Sequence, residues 1–295
     1  MKSFTCSVVA ALAVCAGACS SQRPAASAST RHPGGGTATL QAGSPAWIVD
    51  HMYAYPDFPE QNKYITGEFA RRFGGMPTIG STLKPGVKVS SPRAIGTTDS
   101  TAIYSTAIGD SGKQIEWYTY LVRDLGQWRV EAVRTLEFPK VFYVMYDSLR
   151  AGKKIPDAPP QMQQIMALSM ASDADIQKYF VDHQGAMQAV VDAFNKTTLP
   201  GVDLSDSAAV AARRGSPLPN DREAPVRALL EQAGVSTVFH EKHFPNCTFV
   251  RIGGIAHTQV GYLYAPAGCK VPNINPLNFI YVAKIRDSWY EYKLL

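Results

Sequence analysis

The chain has 295 residues, 45% of them hydrophobic and 18% charged, and a formal net charge of +5. That is enough apolar material for one large domain or two of ordinary size, and nothing after residue 20 approaches the unbroken apolar run of a membrane span. The basic residues are scattered (Arg71 and Arg72, Lys153 and Lys154, Arg213 and Arg214) instead of forming one stripe, so no nucleic-acid partner is expected.

Residues 1–18 read as a leader. Lys2 supplies the positive end, residues 8–14 the apolar stretch, and Ala16-Gly17-Ala18 a small-residue cleavage site ahead of Cys19. Ala16-Gly17-Ala18-Cys19 resembles the lipobox of bacterial lipoproteins, with alanine at position 16 where that motif usually carries leucine. The resemblance implies that Cys19 is lipidated and becomes the mature N-terminus. Ser20 behind it would direct the protein to the outer membrane, facing the periplasm. The alternative is an ordinary secretory leader cut after Ala18. Cys6 and Cys15 leave with the leader in either case. If Cys19 carries lipid, Cys247 and Cys269 remain to pair with each other. Residues 19–44 are rich in Ser, Ala, Gly, Pro and Thr, lack periodicity, and read as a flexible tether.

A first folded unit is expected over residues 45–148. Pro45 opens a helix with Trp47, Ile48, His51, Met52 and Tyr55 on one face, and the spacing of Tyr64, Ile65, Phe69 and Phe73 predicts a second helix over 63–73. Residues 76–91 read as irregular. Residues 100–138 hold three β-rich runs separated by Gly109-Asp110-Ser111-Gly112 and Asp124-Leu125-Gly126, the pattern of an antiparallel meander. A short helix over 141–149 closes the unit. Tyr64-Ile65-Thr66 and the final hairpin, Arg123-Asp124-Leu125-Gly126-Gln127-Trp128-Arg129-Val130, resemble the NTF2-like cone fold, in particular its small secreted and lipoprotein domains without assigned activity. The fold implied is α+β, helices followed by a curved antiparallel sheet. Enzymes on that fold place Asp, His or Tyr groups inside the cone, which makes Asp50 and His51 the candidate pocket residues.

A charged, Pro-rich linker over 153–160 leads to a second α+β unit over 159–295. Ser172 and Asp175 open an amphipathic helix that carries Ile176, Tyr179, Phe180, His183, Met187 and Val191 on one stripe. Residues 201–220 read as a long loop, and 222–233 as a helix stopped by Gly234. Strands over 235–239, 248–252, 260–264, 279–285 and 289–293 follow, read as a closing meander. Cys247 and Cys269 flank the predicted hairpin of the second and third of these, so a disulfide is expected. The rival is a zinc set of His240, His243 and Cys247 with Cys269 or His257, disfavoured in an oxidising compartment and without a second tight ligand pair.

The chemistry-bearing motifs are thin. Gly109-Asp110-Ser111-Gly112 resembles the nucleophile turn of trypsin-like proteases, but no matching histidine segment exists and turn composition explains it. Glu116 is a candidate acid or base of the cone under the NTF2-like resemblance, and its plainer reading is a solvated residue. The aromatic strands are the stronger signal, because tyrosine offers a large contact area with a polar tip. Tyr104, Tyr118 and Tyr120 in the first meander, and Tyr262 and Tyr264 in the second, are the candidate binding residues. The sequence thus points to a membrane-tethered, non-catalytic module that binds a protein partner or small ligand, an immunity-type inhibitor being one version. The alternative is an enzyme or small-molecule binder using the cone pocket. Neither a cofactor nor a metal is expected.

Overall fold

Short turns decide the first sheet. The computed structural model describes residues 40–55, 57–110, 113–153, 160–204, 222–255 and 257–295. Strand β3 (Thr101–Asp110) pairs with β4 (Lys113–Asp124), and β4 with β5 (Gln127–Arg134), all antiparallel. Leu125 and Gly126 both take positive φ, 49° and 81°, and form the two-residue turn between β4 and β5, the kind that matches strand twist. The far edge of β3 carries β1 (Lys88–Val89) and β2 (Arg93–Thr97) in succession. Register shifts in β2 and between Tyr120 and Leu121 accompany a sheet curled into an antiparallel half-barrel, as bulges bend strands and add twist.

One face of this sheet is filled by helices. Helix α1 (Pro45–Ala54) starts at Ser44, whose Oγ accepts from the Trp47 N–H. Its Ile48, Val49, Met52 and Tyr53 bury against Ala102, Leu121 and Val130, and the Tyr53 hydroxyl meets Thr119 Oγ1 at 2.9 Å. The helix predicted over 63–73 is divided: a 3₁₀ turn at Gln61–Tyr64 precedes α2 (Gly67–Phe73). Ile65 leaves the helical path to bridge Val130 of β5, and the Thr66 N–H donates to the Val130 carbonyl. A sheet edge offering hydrogen bonds therefore outweighs the helical spacing. The short α3 (Ile79–Thr82) lies within the stretch expected to be irregular.

Helix α4 (Lys140–Arg150) ends the first half as expected. Most of the predicted linker lies outside the described residues, and α5 (Pro160–Ser169) follows, a helix the sequence reading did not anticipate. Helix α6 (Asp173–Phe194) opens as predicted at Ser172, which accepts from the Asp175 N–H. It is kinked at His183, whose Nδ1 lies 2.9 Å from the Tyr179 carbonyl and whose ring stacks on Tyr179. Then come β6 (Gly201–Asp203), α7 (Ala224–Ala233) stopped by Gly234 at φ 65°, β7 (Thr237–Phe239), β8 (Thr248–Ile255), β9 (Thr258–Tyr264), β10 (Phe279–Arg286) and β11 (Trp289–Leu294).

These strands form a second antiparallel sheet in the order β10-β11-β9-β8-β7-β6. The expected closing meander is corrected here, because β11 inserts between β10 and β9 and leaves β10 at the edge. Ile176, Phe180, Met187, Val190 and Val191 of α6 pack on one face of this sheet, against Tyr262, Trp289 and Val250. The opposite face carries Phe249, Phe279 and Tyr292 under the Cys247–Cys269 disulfide, whose Cα atoms stand 5.0 Å apart. The disulfide takes both cysteines out of the zinc set, and His240 Nδ1 is turned instead to the Cys247 carbonyl at 3.0 Å.

Residues Ala42–Leu295 form one compact unit. Within it the outer face of the half-barrel meets the second sheet directly. Tyr120 donates to the Ile280 carbonyl at 2.5 Å, and the Tyr118 and Tyr281 rings lie 5.1 Å apart. Among the described residues no helix is long and apolar enough to cross a membrane. The leader, nearly all of the tether, and Cys19 lie outside the described residues.

Candidate functional site

Strand alternation places charges in the core. In β11, Trp289, Glu291 and Lys293 face α6, and Tyr290 and Tyr292 face the disulfide side. Trp289 must be buried, so its period-two neighbours are buried with it. The Lys293 side chain is 4% exposed and Glu291 is fully covered. Across the interface, alternation in β4 aims Glu116, Tyr118 and Tyr120 at the same space. Asp173, the first residue of α6, completes the cluster.

The contacts are close. Lys293 Nζ donates to Asp173 Oδ1 at 2.6 Å and lies 3.9 Å from carboxylate oxygens of both Glu116 and Glu291. Tyr118 donates to Asp173 Oδ1 at 2.7 Å, and Arg93 of β2 donates to Oδ2 at 2.7 Å. The Asp173 backbone N–H donates to Glu116 Oε1 at 2.9 Å, so that carboxylate sits on the positive end of α6. Gln177, one turn further along, donates to Glu291 Oε2 and to the Tyr281 hydroxyl, each at 3.0 Å. Five chain segments therefore meet through one network.

Its charges nearly balance. Two cations, Lys293 and Arg93, face three carboxylates. Burial pushes Glu291 well above the ordinary carboxylate range, with Asp173 adding to the effect and Lys293 opposing it. Glu291 Oε1 accepts no hydrogen bond among the described residues, which also favours the neutral acid. Burial raises Glu116 too, opposed by Lys293. Burial works against the Lys293 charge, yet Asp173, Glu116 and Glu291 outweigh it and lift its pKa above the usual lysine range. The upward shift of Glu291 lessens the negative charge that Lys293 and Arg93 must offset. Burial keeps Tyr118 protonated as a donor.

A cleft of about 30 Å³ reaches Glu116, Tyr118 and Lys293 from the side of Tyr143 and Met170. It has room for one or two waters and is too small for an organic substrate. Two larger clefts are open. One, of about 680 Å³, lies between α2, α3 and β5, lined by Phe69, Phe73, Ile79, Trp117 and Val133, with the Arg134–Glu68 ion pair (2.5 Å) at its wall. The other, of about 440 Å³, is walled by α4 and α5 and floored by the Gly253-Gly254 segment of β8.

The tyrosine surface expected from sequence is corrected by these positions. Tyr118, Tyr120 and Tyr262 are buried, and the Tyr262 hydroxyl donates to the Ile176 carbonyl at 2.8 Å. Tyr104 pairs with Thr119 and packs under the helix layer, on the opposite face from Tyr118 and Tyr120. Tyr264 is half-buried against Trp289, ring centroids 5.1 Å apart. Glu116, expected to be solvated, lies inside the network, 10% exposed. Asp50 is buried and His51 half-buried on α1. The His51 ring lies between Trp47 and Tyr55, at 4.0 and 4.4 Å, and neither residue lines either large cleft.

Asp173, Glu291, Lys293 and Arg93 were missed. The pattern of β11 held the signal for two of them, since grouping Tyr290 with Tyr292 leaves Glu291 and Lys293 on the Trp289 face. Comparison with family models, with curated proteins and with solved structures finds no match to this chain.

Proposed function

We propose that the protein is a tethered binding module of the bacterial envelope, held by a lipid on Cys19 at the outer membrane and facing the periplasm. Its first half belongs to the NTF2-like cone folds, and it works by holding a partner or ligand without transforming it. The observation that carries this reading is the division of labour among side chains. The strongly perturbed acids and the buried lysine are engaged with one another in the core, where the cleft that reaches Glu116 and Lys293 among the described residues is water-sized. The two roomy clefts are lined chiefly by apolar groups, the lining expected of ligand sites. The curled half-barrel sheet with α1 packed on one face supports the fold assignment, and the α2–β5 cleft remains beside it.

The mature chain, captured from envelope extract and weighed intact by native mass spectrometry, tests the reading. A stoichiometric non-covalent companion is expected. A chain that emerges bare from extracts of producing and of competing bacteria would refute it. The Cys19→Ala variant should move to the soluble periplasmic fraction, and persistent membrane pelleting would remove the lipid anchor from the account.

A further inference from the structure

The cleft between α4, α5 and β8 concentrates one side chain. Of the eight methionines in the chain, Met145, Met162, Met166 and Met170 all line it, with Phe142 and Ile165. Unbranched thioethers bend to fit an irregular, flexible apolar guest and are the usual lining of adaptable apolar sites. Its floor is glycine for a steric reason. A Cβ on Gly253 would collide with Ser169 Oγ, and Gly254 sits at φ 152°, where a Cβ would collide with the Thr258 carbonyl. The strand shifts register at this point, and the missing side chains let α5 and the Thr258 backbone approach the groove floor closely.

One end is polar. Arg251 and Asp203 line it, Arg251 Nη2 donating to Asp203 Oδ2 at 2.7 Å and to Thr237 Oγ1 at 2.6 Å. Among the described residues only Nη2 of that guanidinium is engaged, and its remaining N–H groups suit a planar carboxylate. The groove's volume, about 440 Å³, falls in the range of small-ligand sites.

We propose that this groove binds a single-chain aliphatic carboxylate, a long-chain fatty acid, with the chain along the four methionines and the carboxylate at Arg251. The proposal deepens the binding-module reading and rests on it. The methionine wall excludes a ligand with polar groups along its length, because desolvating them without partners is costly. Among the described lining residues Arg251 is the one cation, and its Nε and Nη1 groups, which Asp203 does not engage, favour an acidic head over a neutral one.

The test uses the full mature chain, freed of bound lipid on a hydrophobic resin, with palmitate and hexadecanol as probes. Palmitate should bind one-to-one by native mass spectrometry, and at least tenfold tighter than hexadecanol by fluorescence displacement. Met162→Gln and Met145→Gln, both at positions that are not fully buried, should each weaken palmitate at least fivefold. Arg251→Gln should remove the preference over hexadecanol, and Leu277→Gln, on an exposed loop outside every cleft described, should change nothing. Palmitate binding that is absent from a folded chain, insensitive to both methionine variants, or lost in Leu277→Gln would overturn the assignment. A different companion on envelope-purified chain, with no palmitate binding, would overturn it too and leave the broader binding reading standing.

Discussion

Replacing Lys293 by methionine should be the most damaging single change in the body. With an effective dielectric constant of about 20, its ammonium gains about 6 kcal/mol from Asp173 at 2.6 Å and about 4 kcal/mol from Glu116 at 3.9 Å. Desolvating the ammonium returns several kcal/mol of this. Methionine fills a similar volume but leaves Asp173 with Arg93 and Tyr118 alone, and Glu116 with only the α6 amide. Breaking a buried network on one side costs about 3–5 kcal/mol, a large part of the roughly 5–15 kcal/mol of a typical fold. Urea unfolding followed by tryptophan fluorescence should show the midpoint falling by about 1–2 M at unchanged slope. A loss below about 1 kcal/mol would mean that the network does not hold the two sheets together. So would simple additivity with Asp173→Asn, because residues in one network should couple.

Glu291→Gln should flatten the pH dependence of stability. The folded-state pKa of Glu291 is raised, so its contribution is full below the ordinary carboxylate range and is lost as pH rises through the folded value. Urea midpoints of wild type and variant should agree near about pH 5 and separate in favour of the variant toward about pH 9; parallel curves would contradict the assignment. Removing the disulfide with Cys247→Ser and Cys269→Ser together should cost roughly 3 kcal/mol, from the entropy of a loop closed at a sequence separation of 22, read as a lower unfolding temperature. An unchanged temperature would contradict that cross-link. Gly253→Ala should force α5 away from β8, because its Cβ meets Ser169 Oγ and Ile165 Cγ2, at a cost of about 1–3 kcal/mol. A variant as stable as wild type would show that α5 yields freely.

Most elements could be read from local pattern because local chemistry decides them. Ser172 announces α6, Gly234 ends α7, and Leu125-Gly126 turns β4 into β5, each through a hydrogen bond or a dihedral angle made within a few residues. The failures are non-local. Ile65 has helical spacing but finds a β-bridge on Val130, sixty-five residues away along the chain. The hairpin ending in β11 was legible, but its insertion between β10 and β9 depends on which strand edge is open once both hairpins exist. The tyrosines show the same limit. Strand patterning put Tyr118 and Tyr120 on one face, and only the docking of the second sheet turned that face from surface into core. The ion cluster draws from β2, β4, α6, β10 and β11, so no window of sequence contains it.

As proposed, the protein holds its companion without altering it. The companion recovered with the mature chain from envelope extract should be returned to fresh protein in molar excess, incubated, and weighed again. The account predicts an unchanged mass, with the companion bound at the same stoichiometry by wild type and by Glu116→Gln. A companion converted to a new mass by wild type, and left intact by Glu116→Gln, would contradict it and make the buried cluster a catalytic centre.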